Sequence, residues 1–94
     1  MDYETLLINI SKIAKKTTIY YATQNLGEDF IYEKWDEFLF LSGENLSTYK
    51  EKIENDIIDI CINLFIYRLS QKNKIGHVSR KTKNELYFRA RKLL

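Results

Sequence analysis

The chain has 94 residues, of which 45% are hydrophobic and 30% charged. That composition fits one folded domain and excludes a disordered chain. A single cysteine, Cys61, excludes an internal disulfide, and the acidic start Met1-Asp2-Tyr3-Glu4 lacks the basic region of a signal peptide, so a cytoplasmic protein is expected.

There are no prolines and three glycines, Gly27, Gly43 and Gly76. Glycine commonly follows a helix end because it enters the left-handed conformation without steric cost. The three are therefore expected to stop helices and divide the chain into four segments, about 2–25, 29–41, 47–71 and 79–94. Short connections between amphipathic helices favour antiparallel neighbours, so the expected fold is all-α, a single small domain built as an antiparallel four-helix bundle.

In the first segment, Tyr3, Leu6, Ile10, Ile13, Thr17 and Tyr20 follow helical spacing, with Leu7, Ala14 and Tyr21 beside them. Asp2 is the expected N-cap. The stretch Thr17-Thr18-Ile19-Tyr20-Tyr21 prefers strand, yet the stripe continues through it and it reads as helix. In the second segment, Ile31, Trp35, Phe38 and Leu39 form one face, while Phe30, Phe40 and Leu41 fall partly off it. The third opens on Ser47 or Thr48, where Thr48 and Glu51 fit a capping box. Leu46, Tyr49, Ile53, Ile57, Ile60, Cys61, Leu64 and Phe65 define its stripe. From Ile57 onward it is apolar on nearly all sides, which marks it as the central helix. Its apolar run, Ile57–Leu69, is shorter than the ~20 residues a membrane span needs and is interrupted by Asp59, Asn63 and Arg68, so no membrane insertion is expected. The fourth segment starts at Ser79 as N-cap, with Thr82, Leu86, Ala90 and Leu93 as a narrow apolar seam.

The net charge of +2 conceals a strong polarity. Residues 1–27 have three lysines and two acids; residues 28–59 have ten acids and three lysines; residues 60–94 have nine basic residues and one acid, Glu85. Asymmetry of this kind bears on partners and says nothing about fold. Either the two blocks pair weakly across the bundle, or one of them meets an outside partner.

The chemistry of catalysis is not visible. One cysteine and one histidine, His77, do not make a zinc site. Cys61 lies mid-stripe on the most apolar helix, where a thiol stays protonated and inert. Three isolated glycines do not form a phosphate loop. Asp59 is the one carboxylate inside an apolar run, and it is expected to face outward or to pair with Lys12 or Arg68 instead of serving as a perturbed acid. No enzyme, metal or cofactor is expected.

Two binding surfaces are. Arg80, Lys83, Tyr87 and Arg91 lie at helical spacing, flanked by Lys81, Arg89 and Lys92, with Lys72 and Lys74 just before. Cations contact phosphates and tyrosine stacks on bases, so Lys72, Lys74, Arg80, Lys81, Lys83, Tyr87 and Arg91 are candidates for nucleic acid or an acidic partner. The segment Gly76-His77-Val78-Ser79-Arg80-Lys81-Thr82-Lys83-Asn84-Glu85-Leu86 resembles a helix-turn-helix, in which a glycine turn precedes the recognition helix. It departs from that pattern at Lys83, where a buried Ile or Val belongs, and at Lys72, where a small Ala belongs. The second surface is aromatic. Phe30, Tyr32, Trp35, Phe40 and Leu41 offer more apolar area than one bundle face needs, which points to a protein interface and to a homodimer.

The resulting expectation is a non-enzymatic helical binding protein that modulates a host protein or nucleoprotein complex. In general style it is similar to small inhibitors encoded by phages or other mobile elements. The alternatives are a DNA-binding regulator using residues 72–92 and a four-helix bundle similar to bacteriocin immunity proteins.

Overall fold

The computed structural model of the chain describes residues 3–21, 26–47 and 55–93. Four helices are found there: α1 (Tyr3–Thr17), α2 (Glu28–Ser47), α3 (Asn55–Lys72) and α4 (Arg80–Leu93). The only β pairing among the described residues is an isolated parallel bridge between Leu26 and Ile75. The all-α four-helix bundle read from periodicity is the fold. The expected Asp2 N-cap and the Thr48–Glu51 capping box, with Tyr49 and Ile53, lie outside the described residues.

Each helix that follows another in the chain runs back along it. Asn9 meets Asn45 while Tyr21 meets Phe30, so α1 and α2 are antiparallel; Ile57 and Cys61 sit beside Ala90, so α3 and α4 are too. The two hairpins then lie side by side, with α1 against α3 and α2 against α4; α1 with α4 and α2 with α3 are the diagonals. Both lateral pairs are parallel. Glu28, Trp35 and Asp36 of α2 meet Thr82, Leu86 and Arg89 of α4 in rising order, and the ends of α1 and α3 meet at Asn73.

The core is aromatic at its centre. Trp35 stacks on Phe38 with ring centroids 5.1 Å apart, and Phe65 meets Trp35 edge-on at 5.2 Å. Leu6, Ile10 and Ala14 from α1, Ile58, Cys61 and Ile62 from α3, and Leu86 and Ala90 from α4 close around them. α2 thus supplies the largest buried side chains. α3, expected to be central, packs mainly along α1 and α4 and reaches α2 through Phe65, and Ile60 and Tyr67 on its outer side are exposed.

Helix ends moved for identifiable reasons. α1 stops at Thr17, short of the expected Asn25. Thr17 Oγ1 donates to the Ile13 carbonyl at 3.1 Å, and Thr18 Oγ1 donates to the Ala14 carbonyl. These bonds compete with the next helical amides, and the β-branched run adds to the cost of continuing. Asn73 then satisfies the freed backbone: its Oδ1 accepts from Tyr21 N at 2.8 Å and its Nδ2 donates to Ile19 O at 2.9 Å. Tyr20, assigned to the α1 stripe, is consequently exposed beyond it.

α2 passes straight through Gly43 to Ser47. Buried Ser42 and Leu46 continue its core face, and Ser42 Oγ donates back to the Phe38 carbonyl at 2.7 Å. The glycines do not act as left-handed stops, since none of the three has positive φ. Gly27 instead precedes α2 and its carbonyl accepts the first helical bond, from Ile31 N. The Ser79 cap of α4 is present as expected: Ser79 Oγ accepts from Thr82 N at 3.2 Å and its carbonyl accepts from Lys83 N.

Candidate protein-binding site

α2 and α4 lie in parallel contact because their facing sides are small or complementary. Thr82 at the start of α4 donates to Glu28 Oε1 at 2.6 Å, an arrangement favoured by an acid at two helix N-termini. Deeper in, Trp35 Nε1 donates to the Leu86 carbonyl at 2.9 Å. Further along, Arg89 Nη1 bonds Asp36 Oδ2 at 2.6 Å, and Arg89 Nε bonds Glu85 Oε1 at 3.0 Å. Its guanidinium also lies over the Tyr32 ring, 4.7 Å from the centroid. Partial desolvation works against the charge on Arg89, but the hydrogen bonds and negative charge of Glu85 and Asp36 outweigh it and hold its pKa above the ordinary value.

Beyond this clasp the seam opens into a groove of about 570 Å3 lined by Asp36, Leu39, Phe40, Glu85, Phe88, Arg89, Lys92 and Leu93. Three of its walls are large and apolar. Phe40 is 81% exposed, Phe88 60% and Leu93 59%. Asp36 is the charge on the α2 side, and Glu85, Arg89 and Lys92 lie on the α4 side.

The residues expected to form one aromatic interface do not stay together. Trp35 is fully buried, because it lies on the same face as Ile31, Phe38 and Leu39, and is a core residue and no interface. Phe30 is half-buried with its ring against Tyr21, 5.2 Å away. Tyr32 is half-buried beneath Arg89. Phe40 and Leu41 are successive in the helix and so point about 100° apart; only Phe40 lines the groove, and Leu41 is 39% exposed elsewhere. Phe88 and Leu93 complete the patch. Leu93 had the spacing of the buried seam, but it lies at the end of α4, past the last turn that α2 and α3 cover. Phe88 was legible as an aromatic opposite the Leu86–Ala90 seam.

The basic candidates divide as well. Arg80, Lys81 and Lys83 are exposed and make no ion pair among the described residues. Lys72 and Lys74 are exposed at the same end, where α3 gives way to the connection. Arg91 lies about 17 Å along the axis from Arg80. Tyr87 is half-buried against the core, with Arg91 5.7 Å over its ring, so it is not an open stacking platform. Arg89–Asp36 joins the acidic and basic blocks. The connection between α3 and α4 comprises residues 73–79, longer than the roughly 3–4-residue turn of a helix-turn-helix, and Lys83 faces solvent where that motif buries an apolar residue.

Cys61 is buried, and burial pushes its thiol up to about 12. Asp59 is exposed. Among the described residues, no cluster of His, Cys, Asp and Glu has the grouping of a metal site, and no helix is long and apolar enough to cross a membrane.

Compared with protein-family models, curated proteins and solved structures, the chain matches none.

Proposed function

We propose that this chain is a small non-enzymatic binding protein that docks a partner protein in the α2–α4 groove. The observation that carries this reading is the exposure of Phe40, Phe88 and Leu93 around one concavity. Single exposed apolar residues are ordinary, but grouped aromatics with a charged rim are what protein interfaces favour. The accessory role, modulation of a host protein or nucleoprotein by a phage or mobile-element product, rests on composition alone.

The first partner to test is a second copy. A two-fold axis running along the groove sets α2 of one protomer over α4 of the other. Asp36 and Glu37 then approach the basic α4 of the partner instead of their own images, which removes the like-charge conflict of an α2-on-α2 contact. Light scattering at micromolar concentration should show a dimer that Phe40→Glu and Phe88→Glu each dissociate while the chain keeps its helical circular-dichroism spectrum. A monomeric mass eliminates the homodimer. A photo-crosslinker placed at Phe88 then tests for a different protein in cells, and failure to trap a discrete adduct that Phe40→Glu abolishes would remove the docking reading altogether.

Nucleic-acid binding is the second reading, supported by the exposed and unpaired cations Arg80, Lys81 and Lys83. Each phosphate contact contributes about 0.9 to the salt slope on duplex DNA. Replacing all three by Ala should flatten that slope and abolish a gel shift. No shift by the native protein at low salt ends this reading.

A further inference from the structure

A second concavity, away from the aromatic groove, lies where α1 and α3 end side by side. Its volume is about 460 Å3 and it is lined by Lys15, Thr18, Ile19, Tyr20, Arg68, Gln71 and Lys72. Three cations from two helices converge on it, and no acid among the described residues lines it. The described chain that follows each helix is also free of acids: residues 18–21 are uncharged, and residues 73–79 contain Lys74 and His77 as their only ionisable groups.

The plain explanation for basic residues here is the helix dipole. Each helix C-terminus carries roughly half a negative charge, and two such ends amount to about one. Against them stand Lys15, Arg68 and Lys72. The cations therefore exceed what the dipoles balance by about two charges. Arg68 supplies the second observation. Its Nε is buried and has no hydrogen-bond partner among the described residues, whereas buried guanidinium donors are ordinarily satisfied. Arg68 lines the cavity beside Lys15 and Lys72, an arrangement suited to a phosphoryl group, since a guanidinium matches oxyanion geometry and the ammonium groups add charge. The volume falls within the range of small-molecule sites. Exposed Tyr20 stands at the rim, where a ring attached to the phosphate could rest.

We propose that the pocket between the ends of α1 and α3 binds a phosphoryl-bearing small molecule, with Arg68, Lys15 and Lys72 holding the oxyanion. This site is independent of the α2–α4 groove, and either can fail without the other. The test is amide chemical-shift titration of the full chain with pyrophosphate, adenosine monophosphate and adenosine at low salt. Pyrophosphate and the nucleotide should give saturable shifts at Tyr20, Arg68 and Lys72, and adenosine none. Tighter binding of the nucleotide identifies a base-bearing ligand, and equal binding identifies the oxyanion alone; both support the site. Lys15→Glu with Lys72→Glu changes exposed positions only and should weaken binding roughly tenfold or more while the chain keeps its helical circular-dichroism spectrum at the titration temperature. Arg68→Lys keeps the charge, removes the fork and should weaken binding as well. Shifts that do not saturate, that appear equally at Arg80 and Lys83, that adenosine reproduces, or that survive the double charge reversal would overturn the proposal.

Discussion

Along the α2–α4 seam, polar contacts are spread over three turns: Thr82 to Glu28, Trp35 to Leu86, Arg89 to Asp36. Along the α1–α3 seam they gather at one residue, Asn73, which bonds Ile19 and Tyr21 just past the end of α1. Both seams join parallel helices, and both bury apolar faces. The first brings the acidic and basic halves of the chain together and neutralises part of each. The second brings Lys15, Arg68 and Lys72 together and neutralises little. Parallel packing thus has opposite electrostatic outcomes, depending on which charge block each helix belongs to. One seam leaves an apolar groove and the other a cationic pocket.

The largest expected effect tests whether the α2–α4 seam depends on its buried anchor. Trp35→Ala removes the centre of the core and its bond to Leu86, and should cost about 3–5 kcal/mol in denaturant titration. A loss below about 1 kcal/mol would show that α2 and α4 are joined mainly by their surface contacts.

Asn73→Ala breaks the other seam at the polar junction past the end of α1. It leaves the Ile19 carbonyl and the Tyr21 amide without their partner and should cost about 2 kcal/mol. Hydrogen exchange should quicken at Tyr21 while Trp35 and Leu86 keep their protection. Uniform loss of protection would mean that the two seams are not separate units.

Cys61 lies beside a void of about 10 Å3 lined, among the described residues, by Trp35, Leu39, Leu46, Ile57, Ile58, Cys61 and Ala90. A hydroxyl there meets apolar side chains and can bond only back to its own helix, as Ser42 does, so Cys61→Ser should cost about 1–3 kcal/mol. Because burial raises the folded thiol from 9.0 to about 12, the folded state favours the protonated form. Its contribution is complete below pH 9 and is lost as pH rises towards 12, at about 1.4 kcal/mol per pH unit. Cys61→Ala should therefore show a shallower alkaline decline than the native chain. Equal slopes, or rapid native-state thiol labelling, would contradict the burial.

Gly43→Ala should raise stability by about 0.5–1 kcal/mol. The position is helical, and a Cβ there meets nothing within 4 Å. It strengthens α2 without touching either seam, and a loss of stability would place an obstruction where the structure has open space. The smallest effect belongs to Arg89→Gln. Its ion pairs are partly exposed, so the cost should be below about 1 kcal/mol and should shrink with salt. A larger loss would show that the clasp, and not Trp35, joins the helices.

Helical periodicity, the Ser79 cap, the single-domain size and the separation of charge into blocks were all determined by the sequence alone. They rest on local rules, namely which side chains repeat every turn and which oxygen can reach an orphan amide. Tertiary contact decided the rest. The Thr17 and Thr18 hydroxyls end α1 locally, but where the chain goes next is set by Asn73, more than fifty residues away, which takes its backbone bonds at Ile19 and Tyr21. α2 continues through Gly43 because Leu46 has a core to reach. Trp35 and Phe40 are indistinguishable as aromatics on one helix; burial by the other three helices makes one a core anchor and leaves the other in solvent. Phe88 joins Phe40, and Arg68 joins Lys15, only because the hairpins lie side by side with like helix directions. No local pattern encodes that choice, since it depends on how four amphipathic faces close around one aromatic core.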